Sequence, residues 1–336
     1  MGENRKSSLK TALVGVTISL LAIFIIFKFT ETQITWRVIL KANSFYIALA
    51  LFLHFLFWLF WALRIMILSS FLNAKIDIKY ALEMTLASNF LAAITPSSAG
   101  GEPLRVKMLT DKGVSVGSAS AIVLAERLMD AIFFIIALLI FIVISGFSTK
   151  FGMEVGLVFF VSLVLFILFL YYIFKDPENI DKIAEKLYKI LKRFIKERKA
   201  DQALNFIKDE LFSFRQAAID LVKNPAKNLI ILFFTTSLIW FSDFLVPSAI
   251  LLALNEDPVI LLSITSQLIL VIVSLIPITP GASGIVEAGM AYLYSRFLPS
   301  HILGVLIGTW RAITYFSNLI VGFIVNVRLL KSRYLD

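Results

Sequence analysis

Several apolar runs in this chain reach or exceed the roughly 20 residues needed to cross the hydrocarbon core of a bilayer. No other feature limits the fold as strongly. In lipid, backbone polar groups must be paired within their own segment, so runs of this length must be helices. A transmembrane barrel would instead show short segments of alternating polarity, and the sequence has none. Composition agrees. Of 336 residues, 59% are hydrophobic and 16% charged, with a mean hydropathy of +0.88. A soluble domain carries about 25% charged residues.

Full spans are expected near 11–29, 44–70, 117–146, 154–174, 228–252 and 302–328. The first follows a basic start (Arg5, Lys6, Lys10). It is longer than the apolar core of a signal peptide, and Thr30-Glu31-Thr32-Gln33 is not a small-residue cleavage site, so it reads as a retained span. Two further apolar stretches, near 79–95 and 258–277, behave differently. One runs into Ile94-Thr95-Pro96-Ser97-Ser98-Ala99-Gly100-Gly101, the other into Ile278-Thr279-Pro280-Gly281-Ala282-Ser283-Gly284. Proline lacks the N–H and clashes with the preceding turn, and glycine loosens the backbone, so both sequences stop a helix. Amphipathic stretches resume near 103–112 and 285–297.

Charge decides how these broken stretches sit. Between Lys175 and Lys227 lies the one long polar segment, with 13 Lys/Arg against 9 Asp/Glu. By the positive-inside rule it belongs in the cytoplasm, with the basic N-terminus and the Arg328, Lys331, Arg333 tail. All three fall on one side if both broken stretches are re-entrant. The expected fold is therefore an all-α polytopic membrane domain over residues 1–336, with about six full spans. Two re-entrant helical hairpins, 79–112 and 258–297, would enter from opposite faces. Weak internal symmetry supports inversion: the Ile-Thr-Pro triplets, Gly100 and Gly284, and Arg127 and Arg311 all share a 184-residue offset. Inverted repeats with broken helices recur in transporters. The segment 175–227 reads as cytoplasmic amphipathic helix, with Ile180, Ile183, Leu187, Ile190 and Phe194 on one face, and its expected role is structural.

The net charge of +9 suits helix ends facing anionic headgroups better than nucleic acid. With no cysteine, disulfides, thiolate metal sites and cysteine nucleophiles are excluded. Two histidines are too few for a His-rich metal site. No phosphate-binding loop, H-E-x-x-H or G-x-S-x-G motif occurs. No cofactor and no enzymatic activity are expected.

Ionisable residues inside spans face a bundle interior or a wet cavity and mark function by default. Glu126, Arg127 and Asp130 form the richest cluster, with Arg127 ten residues into its helix, about 15 Å deep. Arg311 reaches about 14 Å from the other side. These charges either engage a substrate or pair among themselves, as Arg127 with Asp130 at i, i+3. Glu102 and Glu287 each follow a glycine-containing break, where a carboxylate caps a new helix or binds a cation or proton. Arg105 lies near where an anionic headgroup would approach. Asp243 sits mid-span. Arg64 is expected to snorkel to the cytoplasmic surface, and His54 to be hydrogen-bonded structure. Helix breaks are assigned to Pro96, Gly100, Gly101, Pro280, Gly281 and Gly284.

Two of these motifs resemble a known family. Pro96-Ser97-Ser98-Ala99-Gly100-Gly101-Glu102-Pro103-Leu104-Arg105 is similar to a P…GGEPLR signature. Pro277 to Glu287 is similar to P-x-TPGG-x-G-x-x-E, with Ala282-Ser283 in place of its second glycine region. Both belong to the flippase-like transmembrane domain of lysylphosphatidylglycerol synthases and its stand-alone relatives. The resemblance covers nearly the whole chain. It implies translocation of a phosphate-containing membrane lipid in the cell membrane, where the charge pattern expects both termini to be cytoplasmic. The soluble synthase domain is not expected here. Arg127 and Arg311 would engage the phosphate, with Glu102, Glu126, Asp130 and Glu287 balancing charge or binding a cationic headgroup. Two other classes stay open: a proton- or sodium-coupled transporter of a soluble solute, and a scaffold for a lipid-modifying enzyme docked through 175–227. Homo-oligomerisation is also open.

Overall fold

The computed structural model of the chain describes residues 16–335 apart from 19, 27, 30–32, 96–99, 147–149, 177–196, 222–224 and 276–278. Among the described residues the long regular elements are all helices. In chain order the helices are α1 (Val16–Ile26), α2 (Gln33–Leu40), α3 (Ser44–Phe71), α4 (Ile78–Ala93), α5 (Gly101–Thr110), α6 (Val116–Ser145) and α7 (Lys150–Lys175). They continue with α8 (Glu197–Leu221), α9 (Pro225–Phe244), α10 (Val246–Ala253), α11 (Ile260–Ser274), α12 (Ile285–Tyr294), α13 (Ser300–Arg311) and α14 (Ser317–Leu335).

Among the described residues, four stretches are long and apolar enough to cross a membrane: Ser44–Phe71, Val116–Ser145, Asn228–Ala253 and Ser300–Lys331. They coincide with four of the six spans expected from sequence. The spans expected near 11–29 and 154–174 fall on the shorter apolar helices Val16–Ile26 and Gly156–Tyr172. Side chains such as Val143, Leu157, Leu165, Phe169 and Ile324 project outward as an apolar surface suited to lipid.

Local chemistry sets the ends. Asn43, Asp77 and Ser115 cap α3, α4 and α6 with side-chain oxygens that accept N–H groups of the first turn. The Tyr80 N–H, 2.9 Å from Asp77 Oδ1, holds that exposed carboxyl below its ordinary range. Gly146 ends α6 in the left-handed conformation. Pro247 opens the short α10 and breaks the regularity of the Asn228–Ala253 stretch.

The breaks near residues 94 and 279 each turn the chain back on itself. At the base of the first hairpin, Tyr80 Oη near the start of α4 donates to the Met108 carbonyl near the end of α5, at 2.8 Å. At the base of the second, Tyr294 Oη near the end of α12 lies 2.7 Å from Ser263 Oγ near the start of α11. The hairpins start from opposite ends of the bundle. The first shares its end with the start of α6 and with α8, joined by the Gly117 N–H to Glu210 Oε2 at 2.5 Å. The tail of α14 reaches that end too, with Asn326 Nδ2 on the Ala87 carbonyl. The second hairpin starts where the Asn43 N–H meets the Ala253 carbonyl at 2.7 Å and where Thr265 Oγ1 meets Ser145 Oγ.

The hairpin tips touch in the middle. The Gly281 N–H donates to the Thr95 carbonyl at 3.3 Å, and Tyr315 Oη to the Ala93 carbonyl at 3.3 Å. Gly281 has φ +57°, and a β-carbon there would lie 2.7 Å from the Ala93 oxygen. Only glycine suits both the backbone conformation and the approach. Gly100 and Gly101 likewise sit tight against Thr95 and the Ser88 carbonyl. Pro96 lies outside the described residues, as does the apolar stripe from Ile180 to Phe194. The remaining part of 175–227 is largely α8, an amphipathic helix packed along α6.

Candidate functional site

A cavity of about 300 Å³ lies where the hairpin tips meet. It is lined from both halves of the chain: Gly101, Glu102, Arg105 and Arg127 from the first, Gly281, Arg311, Thr314 and Tyr315 from the second. Trp61, Asn89, Trp240, Asp243, Gln267 and Asn318 add to its wall.

On the first side, three arginines surround one indole. The guanidinium carbons of Arg105, Arg64 and Arg127 lie 5.2, 5.3 and 5.8 Å from the Trp61 ring. This is cation–π distance. The Trp61 Nε1–H donates to Glu126 Oε1 at 2.8 Å, which fixes the ring. Three carboxylates balance the three cations. Arg64 Nη1 donates to Asp130 Oδ1 at 2.6 Å, and its Nη2 reaches Glu126 Oε1 at 3.5 Å. Trp240 Nε1–H donates to the same Asp130 oxygen at 2.8 Å. Arg127 Nε donates to Glu102 Oε1 at 2.7 Å, and its Nη1 stands 3.6 Å from Asp130. Arg105 is the least satisfied. It is buried, its single carboxylate contact is Glu126 at 3.3 Å, and its Nε has no hydrogen-bond partner among the described residues.

The second side repeats one part of this pattern in a drier setting. Arg311 Nε donates to Glu287 Oε1 at 2.7 Å, and its Nη2 reaches the Gly281 carbonyl at 3.5 Å. Tyr315 lies under the guanidinium at 4.6 Å. Glu287 also accepts the Gly284 N–H at 2.7 Å, so it caps α12 while pairing with Arg311. The wide π-type turn Ala312–Phe316 directly follows Arg311 and carries Tyr315. Such turns inside helices are frequent at functional sites.

A third pair sits beside the cavity. His54 Nδ1 lies 2.9 Å from Asp243 Oδ1, and the buried Nε2 has no partner among the described residues. Phe57 stacks on the ring and Trp58 meets it edge-on.

The cavity thus gathers Glu102, Arg105, Arg127, Asp243 and Arg311 among the residues singled out from sequence, with Gly101 and Gly281 of the breaks. Glu126, Asp130 and Glu287 stand behind them as buried counter-charges. Arg64 differs from expectation. It does not snorkel; it is fully buried and holds Asp130. Two carboxylates on α6 and the Thr236 hydroxyl at 3.1 Å supply its Nη1 and Nη2 donors with acceptors, which weakens the drive toward the surface. The i, i+3 pairing of Arg127 with Asp130 is the weaker of the contacts each residue makes. Trp61, Trp240 and Tyr315 were not singled out in sequence. Trp61 precedes Arg64 by three residues, on the same helix face, and that spacing is the signal that points to it.

Long apolar helices around a charged cavity, where two broken hairpins meet, define a multi-pass membrane protein with an internal polar site. The chain belongs to the family of the lysylphosphatidylglycerol synthase TM region, whose model matches residues 12–322. It is similar to a UPF0104 membrane protein of Archaeoglobus fulgidus, 47% identical over 323 residues, which covers 96% of this chain and 98% of the relative. A UPF0104 membrane protein of Methanothermobacter thermautotrophicus is 25% identical over 261 residues, 76% of each chain.

Proposed function

We propose that this protein is a lipid translocase that carries the phosphate-bearing headgroup of a membrane lipid between leaflets through the central cavity. The observation that carries this reading is Arg105. A buried guanidinium that, among the described residues, has one long carboxylate contact and no partner for its Nε, and that lines a cavity beside Arg127, suits a tetrahedral anion. Guanidinium matches phosphate in geometry, and burial strengthens each bond.

In this mechanism the two hairpins are re-entrant, enter from opposite faces and form an inverted pair, with both termini cytoplasmic. Arg105 and Arg127 receive the phosphate. Three arginines and three carboxylates make the first cluster formally neutral, so an incoming anion must loosen one pair. The Arg127–Glu102 pair, about one-third exposed, is the one able to open. The released Glu102 is then free to meet a cationic headgroup. Arg311 and Glu287 offer the matching station on the other side. Family membership supports a lipid as cargo. No covalent chemistry is required of any of these residues, so the chain is proposed to act as a carrier and not as an enzyme.

The test is flipping of a fluorescent phospholipid in proteoliposomes. Arg105→Gln should lower the rate about tenfold or more, the scale of one lost charge-assisted bond to an anion. Glu126 keeps Trp61 and Arg64 as partners in that variant, so folding should survive. A rate equal to that of the unmodified protein would overturn the proposal.

A further inference from the structure

A second groove, of about 270 Å³, runs between α6 and α7. Phe134 lines it from α6 and Phe159, Leu163 and Phe166 from α7. Its lining residue Phe166 is exposed on the apolar outer face of α7, as is nearby Val161, so this side of the groove faces hydrocarbon. Its inner end is charged. Arg127 and Asp130 line it there. Arg127 and Leu275 also line the central cavity, so one guanidinium stands between the two spaces.

We propose that this groove is a lateral port that holds an acyl chain of the translocated lipid while its phosphate rests on Arg127. The proposal rests on the lipid reading above and goes beyond it by assigning the path of the chain. A diacyl lipid joins a charged group to long hydrocarbon, and a polar cavity cannot take both. A groove with hydrocarbon walls and a cation at its inner end matches that division in order and polarity. An ordinary bilayer lipid fills the same groove poorly. Pushed inward, the end of its chain would abut the Arg127–Asp130 pair and remove water from charges without replacing it. A lipid that enters with its phosphate against Arg127 replaces that water with a charge-assisted bond.

The chain has no cysteine, so a single introduced thiol is a unique label site. Ser162, on the groove wall, is changed to cysteine and carries a thiol-linked benzophenone; Leu165→Cys, facing outward, is the bilayer control. The proteins are placed in phosphatidylcholine vesicles that contain alkyne-tagged phosphatidylglycerol or alkyne-tagged diacylglycerol. Tagged phosphatidylglycerol should crosslink at Ser162→Cys, and Arg127→Gln should reduce that yield about tenfold. The Leu165→Cys yield should not change, and diacylglycerol should show no dependence on Arg127. Leu163→Trp, which fills the groove, should abolish flipping of the long-chain lipid and leave binding of dihexanoyl phosphatidylglycerol intact.

The failures are separable. Crosslinking at Ser162→Cys that ignores Arg127 and headgroup, while flipping still depends on Arg105 and Arg127, overturns the port and leaves the translocase standing. Arg127-dependent crosslinking without flipping in the unmodified protein supports the port and overturns translocation. Loss of both dependences overturns both. Unimpaired long-chain flipping by Leu163→Trp also overturns the port.

Discussion

Arg311 donates its Nε hydrogen to Glu287 at 2.7 Å, and both side chains are almost wholly shut away from solvent. The same bond, at the same length, joins Arg127 to Glu102, where both partners are about one-third exposed. In each half of the chain the acid stands at the start of the helix after a break, and the arginine lies 24 or 25 residues further on. Chemically equivalent pairs in unequal surroundings should differ in consequence. Removal of one partner of a buried pair leaves an uncompensated charge and costs about 3–5 kcal/mol. A partly exposed pair contributes about 0–1 kcal/mol. Arg311→Ala is therefore expected to lower stability far more than Arg127→Ala, read by unfolding in mixed micelles. Arg311→Met with Glu287→Gln should recover much of the loss. Equal effects of the two single alanine variants would contradict the assigned burial.

Gly281 sets how closely the hairpin tips approach. Its φ of +57° disfavours any side chain by about 1–2 kcal/mol. A β-carbon would also press on Tyr315 Cε2 at 2.6 Å and on the Ala93 oxygen at 2.7 Å. Gly281→Ala should thus destabilise the protein by more than the backbone term and separate the two tips. Gly113→Ala is the control: it shares a positive φ but has open space around it. A gap between the two melting shifts would isolate the contact at the tips. Identical shifts would show that the tips do not touch in the membrane.

The breaks were legible in the sequence because proline and glycine act locally. Helices α4, α5, α11 and α12 begin and end within a few residues of the expected stretches. The charged residues were legible as a set because charge within an apolar run is conspicuous. Their pairing was not. Depth along a helix says nothing about which neighbour it faces, so Arg64 read as a surface residue although Asp130 of another helix holds it at 2.6 Å. The turn at Ala312–Phe316 contains neither proline nor glycine, so no local residue signal marks its wide backbone.

Trp61 is the shared face of three guanidiniums and also a hydrogen-bond donor. Two substitutions separate these roles. Trp61→Phe keeps an aromatic face and loses the N–H to Glu126; a bond to a charged group contributes about 1.5–3 kcal/mol. Trp61→Leu loses the face as well, and buried cation–π contacts add about 2 kcal/mol. Stability should fall in the order native, Phe, Leu. Transport should fall more steeply than stability, because Arg105 and Arg127 lose the surface that orients them toward the cavity.

The docking of α8 on α6 gives the last expectation. The Gly117 N–H in the first turn of α6 has no intrahelical acceptor, and Glu210 of α8 supplies one at 2.5 Å. A carboxylate at that position also meets the positive end of the helix dipole. The absence of a side chain on Gly117 lets the α8 backbone come close at Glu210 and Phe214. Glu210→Gln retains an acceptor and removes the charge, so it should cost about 0.3–1 kcal/mol. Gly117→Val should displace α8 altogether and make Glu197–Leu221 a preferred site of limited proteolysis. If α8 is structural, Gly117→Val will lower stability and flipping together. If α8 instead serves to dock a second protein, flipping in pure proteoliposomes will survive its displacement. Protease mapping alongside the flipping assay distinguishes these outcomes.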